Sequence, residues 1–256
     1  MNIGMGPTEQ HELEYWDAFF EKDSSGRVFF EQHLEWYGQS YRAFRRLVSG
    51  LMPEGNLSVL EVGCGSGLMS YACASSCNDI TLLDISPSAL AFARSLCPSE
   101  LNDSMQFVQA SMFDLPLHNK RFDLIHSTGV LEHYTRTEIT AALREFQRVA
   151  KPRAIMVHLV PNPWSLPVLK ARLLGSSLGR RWMSRVPGYR NDSERPYTAA
   201  VLREIFSGAL PHHHHQIVYL GPVGFTGWSS GVVRAFNRSM ERSVAAFLVG
   251  VVSTTP

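Results

Sequence analysis

Nine consecutive residues, Val59-Leu60-Glu61-Val62-Gly63-Cys64-Gly65-Ser66-Gly67, constrain this chain more than any other stretch. An apolar run of strand length passes straight into a turn with glycine at every second position. A helix-forming segment follows. Glycine takes positive φ without steric cost and lets the backbone approach a ligand closely. The start of the following helix offers unpaired N–H groups. Dinucleotide-binding turns usually run G-x-G-x-x-G and hold a pyrophosphate. Here the spacing is G-x-G-x-G, with an acid two residues before the first glycine. An anionic Glu61 suits a pyrophosphate poorly. It suits a cationic ligand such as a sulfonium amino acid well.

The turn opens a strand–helix alternation. Strands are expected at 57–62, 79–84, 105–109, 122–127 and 154–160, with helices between them. Ser86 is a natural cap for the helix starting at Pro87, and Pro98 stops that helix. Thr135 and Glu138 have capping-box spacing for a helix reaching about 150. A helix over 68–77 completes the pattern. This alternation predicts an α/β, Rossmann-like three-layer sandwich with a mostly parallel seven-stranded sheet. N-terminal helices and an inserted lid segment complete the expected fold. The expected organisation is a helical cap over 1–56, a cofactor-binding core over 57–160, an insertion or lid over 161–197, and completion of the sheet over 198–256. The cap is aromatic, with Tyr15, Trp16, Phe19 and Phe20 in one cluster. The insertion opens with Pro161, Pro163 and Pro167 and carries Arg172, Arg180, Arg181, Arg185 and Arg190. A stretch this long between strands reads as a lid or substrate segment, although the arginines also fit a solvated face. Thr198 caps a further helix to about 208. Strands at 216–220 and 246–252 and a helix over 231–242 are expected after it.

Composition narrows the partners. The formal net charge is +1, without the basic excess that phosphate neutralisation requires, so nucleic acid is not an expected partner. Cys64, Cys73, Cys77 and Cys97 form no C-x-x-C pair, so no metal is expected, and they read as reduced thiols. The N-terminus lacks a basic start and apolar stretch, which predicts a cytoplasmic protein. The longest apolar run, 244–252, is about half of a membrane span, so none is expected. His212–His215 reads as an exposed loop.

Asp84 ends the second expected strand about twenty residues after the glycines, where an acid can accept ribose hydroxyls. It also fits a cap for the helix at Ser86. With these residues in place, the chain resembles the class I S-adenosylmethionine (SAM)-dependent methyltransferases, especially the ubiquinone and menaquinone biosynthesis group (methyltransferase type 11/25 domain). The matching segments are LEVGCGSG (60–67), LLDISPSAL (82–90), ASMFDLPL (110–117) and FDLIHSTGVLEHY (122–134), in the family's order and spacing.

The resemblance implies a transferase using SAM and yielding S-adenosylhomocysteine (SAH). Gly63, Cys64, Gly65 and Gly67 would hold the methionine part, and Glu61 would reach its amino group. Asp84 would bind the ribose and Ile85 would pack on the adenine. Relatives often place an acid after the third strand for the adenine amino group. This chain has Ser111 there, with the Met112 N–H as a second candidate and Asp114 nearby. Ser127 would help close the pocket. Glu132 and His133 face the departing methyl group by the same analogy. His133 is the titratable candidate for a proton acceptor, and it equally fits a packed, helix-capping role. Tyr15, Tyr134, Arg195 and Tyr197 are the candidate substrate contacts.

In-line methyl transfer chiefly needs alignment and exclusion of water. The class therefore demands no single catalytic residue, and the sequence leaves the methyl acceptor, its reacting atom and the oligomeric state open. A small-molecule acceptor is the first expectation. A non-catalytic SAM-binding partner protein is the alternative, as is a methyltransferase acting on protein or RNA. A nicotinamide enzyme predicts G-x-G-x-x-G and no acid at Glu61, and the sequence disagrees on both.

Overall fold

The computed structural model describes residues 6–52, 55–175, 194–224 and 243–255. Three helices come first: α1 (Pro7–Phe20), α2 (Ser25–Gln32) and α3 (Leu34–Leu51). The alternating region follows with β1 (Leu57–Val62), α4 (Leu68–Cys73), β2 (Cys77–Asp84), α5 (Pro87–Leu96), β3 (Met105–Gln109), β4 (Phe122–Thr128), α6 (Arg136–Val149) and β5 (Ala150–Pro161). Then come α7 (Leu166–Gly175), α8 (Ala199–Ala209), β6 (His214–Leu220) and β7 (Leu248–Thr254).

The strands form one seven-stranded sheet in the order β3-β2-β1-β4-β5-β7-β6. β1 to β5 are parallel, and β7 runs antiparallel between β5 and β6. The chain reverses direction across the sheet at β1 and β4, so their carboxyl ends open a crevice where α/β sheets bind ligands. Period-two alternation sends neighbouring residues to opposite faces. Leu60, Val62, Ile125, Met156 and Val160 meet α6 and α8 through Leu143, Phe146 and Phe206 on one face. Val59, Leu124, Val157 and Leu159 meet α3, α4 and α5 through Phe44, Met69 and Leu90 on the other. This is the expected three-layer sandwich.

The predicted caps are present. Ser86 Oγ accepts from Ala89 N at 3.0 Å with Pro87 at the first helical position, and Thr135 forms the capping box with Glu138.

Several boundaries differ from the expectations. α4 ends at Cys73, and Cys77 already pairs with Leu57 as part of β2. The helix is cut short because the crossover must return to the sheet. The final strand lies two residues later than expected. Its apolar run does not mark its own ends, and pairing of Ile155 with Thr254 and of Pro161 with Leu248 sets them. The histidine run is not simply an exposed loop: His214 and His215 begin β6, and His215 Nδ1 lies 2.9 Å from Ser253 Oγ. The expected helix over 231–242 lies outside the described residues, as do Arg180, Arg181, Arg185 and Arg190. Among the described residues, no helix is long and apolar enough to cross a membrane.

Candidate functional site

The carboxyl end of β1 runs into the glycine turn, and the turn has the backbone that only glycine favours. Gly63 has φ +63° and Gly65 has φ +50°. A Cβ on Gly63 would overlap Val130, and one on Gly65 would stand 3.2 Å from the Phe20 ring. The missing side chains leave the backbone open to a cavity of about 310 Å³. Gly67 lies behind the turn, outside the cavity lining, with its N–H bonded to the Cys64 carbonyl at 2.8 Å. Cys64 is buried, and that burial raises its thiol pKa far above the ordinary value.

Two carboxylates flank the turn. Asp84 Oδ2 accepts from Gly65 N at 2.9 Å, and its Oδ1 accepts from Ser86 N at 2.9 Å. The second lone pairs of both oxygens remain for a ligand hydroxyl. Burial raises the Asp84 pKa against these bonds. Glu61 Oε2 accepts from Ser70 N at 3.2 Å. Burial pushes the Glu61 carboxyl up to about 8. Ile85 and Met112 also border the cavity.

Some expected site residues sit elsewhere. Ser127 is tied to His158 Nδ1 at 2.8 Å beneath the strand, and Thr128, Gly129 and Val130 wall the cavity instead. Alternation along β4 turns Ser127 away. Ser111 faces Glu9 of α1, to which its hydroxyl donates, and it accepts from Phe113 N at 3.0 Å. Tyr197 donates to the Tyr134 carbonyl at 2.7 Å from behind the wall. Arg195 donates through its guanidinium to the His133 carbonyl and through its backbone N–H to the Glu132 carbonyl at 2.8 Å. Tyr197 and Arg195 therefore brace the segment that carries Glu132 and His133. Tyr15, Glu132, His133 and Tyr134 do border the cavity.

The far end of the cavity is acidic, and most of that was not visible in the sequence. Glu12 of α1 lies with its Oε2 3.3 Å from His133 Nδ1 and accepts from Trp16 Nε1 at 3.0 Å. Distance alone suggests an ion pair between Glu12 and His133. Burial opposes charge on both partners, raising the carboxyl and lowering the imidazole to about 4. The contact is better described as a neutral one. Glu194 joins Glu132 and His133, with one ligand-type atom from each within 4.8 Å of the others. Burial pushes Glu132 up to about 8 and Glu194 up to about 10. The only sequence signal for Glu12 is its place four residues before Trp16 on the aromatic helix. Glu194 carries none.

A single cavity thus joins a glycine cradle, a buried carboxylate at its edge, a second buried acid beside it and an acidic far wall. The donor set fits a nucleoside sulfonium. Residues 59–153 match a family model described as a methyltransferase domain. This segment is a methyltransferase domain. Over 144 residues the chain is 28% identical to the ubiquinone biosynthesis O-methyltransferase of Cereibacter sphaeroides, covering 56% of this chain and 56% of that protein. It is 24% identical to the malonyl-[acyl-carrier protein] O-methyltransferase of Pectobacterium atrosepticum, covering 67% of this chain and 60% of that one. The chain thus spans little more than half the length of these curated relatives. Among solved structures, the magnesium protoporphyrin IX methyltransferase of Synechocystis with bound SAH aligns with a TM-score of 0.62 at 15% identity, covering 97% of this chain and all of that one. The chain therefore shares this fold over nearly its whole length.

Proposed function

We propose that this protein transfers a methyl group from SAM to a small-molecule acceptor. The observation that carries the reading is Asp84, held over the Gly65 amide at the edge of the glycine cradle and sharing one cavity with Glu61 and the Glu132–His133 wall. When bound, SAM supplies a methyl group already activated by a positive sulfur. The chain's own residues then have three tasks. Asp84 and Glu61 orient the cofactor from its ribose and amino ends. Phe20 and Trp16 of α1 cover the cavity and exclude water. Glu132 and His133 face the acceptor and take up its proton where one must leave. The ubiquinone-type and protoporphyrin methyltransferases that the chain resembles are named for small-molecule substrates, which supports the acceptor class. The near-neutral net charge agrees with it.

The test is calorimetry with SAH. Asp84→Ala is expected to weaken binding at least tenfold while the far-ultraviolet circular dichroism stays unchanged. An unaltered dissociation constant would remove Asp84 from the site and the main support for this reading.

A further inference from the structure

The far wall of the cavity brings together three carboxylates from segments distant in sequence: Glu12 from α1, Glu132 from the turn after β4, and Glu194 just before α8. Glu132 is 2% exposed, and its Oε2 is buried without a hydrogen-bond partner. An isolated buried carboxylate is costly unless a cation or donor meets it. The guanidinium of Arg195 is engaged at the His133 carbonyl and lines a separate small cavity on the other side. Arg172 borders that same small cavity beside Glu194, and the side of the pocket that faces α1 is aromatic. The Trp16 ring stands edge-on to His133 at 5.6 Å between centroids, with Tyr15 5.1 Å beyond it. A hydrated metal ion needs polar ligands around its whole sphere. Carboxylates on one side and aromatic rings on the other suit an organic cation with a carbon body.

We propose that the methyl acceptor is an amine whose nitrogen enters the pocket between Glu132, Glu12 and Glu194 and whose carbon body lies against Trp16 and Tyr15. The proposal rests on the methyltransferase reading above and names its substrate class. The acceptor arrives as an ammonium, and its positive charge drives the proton of the buried Glu132 acid out to solvent. The resulting carboxylate then takes one ammonium proton, which frees the nitrogen lone pair. The nitrogen then forms the N–CH₃ bond as the S–CH₃ bond breaks. The positive charge passes from sulfur to nitrogen, and the sulfur leaves as the neutral thioether of SAH. The proton on Glu132 goes to water when the methylammonium product departs.

The experiment titrates the SAH-loaded full chain with three probes of similar shape: phenethylamine, 2-phenylethanol and 3-phenylpropanoate. Calorimetry is expected to show phenethylamine binding at least tenfold more tightly than either of the others. Glu132→Gln and Glu194→Gln are each expected to weaken amine binding at least tenfold, with SAH affinity kept within twofold. Equal affinity for amine and alcohol in the wild-type protein, with SAH bound normally, overturns the proposal and leaves the methyltransferase reading intact. Failure of SAH itself to bind overturns the methyltransferase reading and this one with it. A parallel titration with Mn²⁺ followed by electron paramagnetic resonance separates the metal alternative. It uses a His212→Ala, His214→Ala background to remove those two exposed imidazoles. One-to-one Mn²⁺ binding that blocks phenethylamine also overturns the amine assignment.

Discussion

Glu61 sits where a carboxylate is expensive, at 3% exposure, with burial raising its carboxyl to about 8. At neutral pH it is therefore mostly a neutral acid. An ammonium placed against it favours the charged form and expels the proton. SAM binding is expected to release up to one proton per site and to tighten as pH rises toward 8. Calorimetry in two buffers of different ionisation enthalpy reads this directly. Glu61→Gln is expected to abolish the buffer dependence and to weaken affinity about tenfold. Buffer-independent heats from the wild-type protein would place the amino group elsewhere. Its place beside the turn was legible in the sequence because it is local: Glu61 lies on the strand that makes the turn. Asp84 was legible for the same reason, at the end of the adjacent strand. Glu12 and Glu194 were not, because their roles depend on tertiary placement beside His133. Ser111 shows the same limit in reverse. Its position was read correctly, yet its hydroxyl is engaged by Glu9 from about a hundred residues away.

The element that joins both halves of the site is α1. Its polar contacts with the Rossmann-like core include Glu9 at Ser111, Glu12 at His133, and Asp17 at the start of α5. Asp17 Oδ1 accepts from Ser86 Oγ at 2.8 Å and from Ser88 N at 2.9 Å. Burial works against its charge, but these bonds outweigh burial and hold its pKa below the usual carboxylate value. A carboxylate at a helix N-terminus also meets the positive end of the helix dipole. Removing such a cap costs about 1–2 kcal/mol, which corresponds to a factor of roughly 5–30 in an opening equilibrium. Asp17→Ala is therefore expected to speed amide exchange across α1 by roughly that factor while the strand amides keep their protection. Mass spectrometry of deuterium uptake checks it. Unchanged α1 exchange would mean that the aromatic contacts of Trp16 and Phe20 alone hold the helix down. At this scale the strands and their caps were readable from period and turn chemistry. The first two residues of β6 were not, because a run of histidines carries no strand signal and only pairing with β7 orders His214 and His215. The amphipathic pattern of α1 likewise announced a helix without saying which part of the core it would cover.

Across the whole molecule, the buried acids and the buried histidines pull stability in opposite directions with pH. His126 and His158 are pushed down to about 3, and His133 to about 4, all chiefly by burial. In each case the unfolded chain binds more protons than the folded one, so stability falls as pH drops below the ordinary histidine value near 6.5. Glu61 and Glu132 are pushed up to about 8. For them the folded state binds more protons, and their stabilising contribution is full below about 4.5 and is lost as pH rises through about 8. Above about 6.5 the unfolded histidines are already neutral and contribute little further slope, so the acids decide. Glu194, pushed up to about 10, acts in the same direction as these two acids, so the ligand-free protein is expected to be most stable below about pH 6. Stability should then fall toward pH 8, by up to about 1.4 kcal/mol per pH unit for each buried acid. Urea unfolding at half-unit pH steps measures the slope, and the Glu61→Gln, Glu132→Gln double variant should lose roughly half of it, with Glu194 keeping its own share. A flat profile from 6.5 to 8 would mean that these two carboxyls are already charged in the folded state, and the cavity would then hold its cation-binding groups ready before any ligand enters.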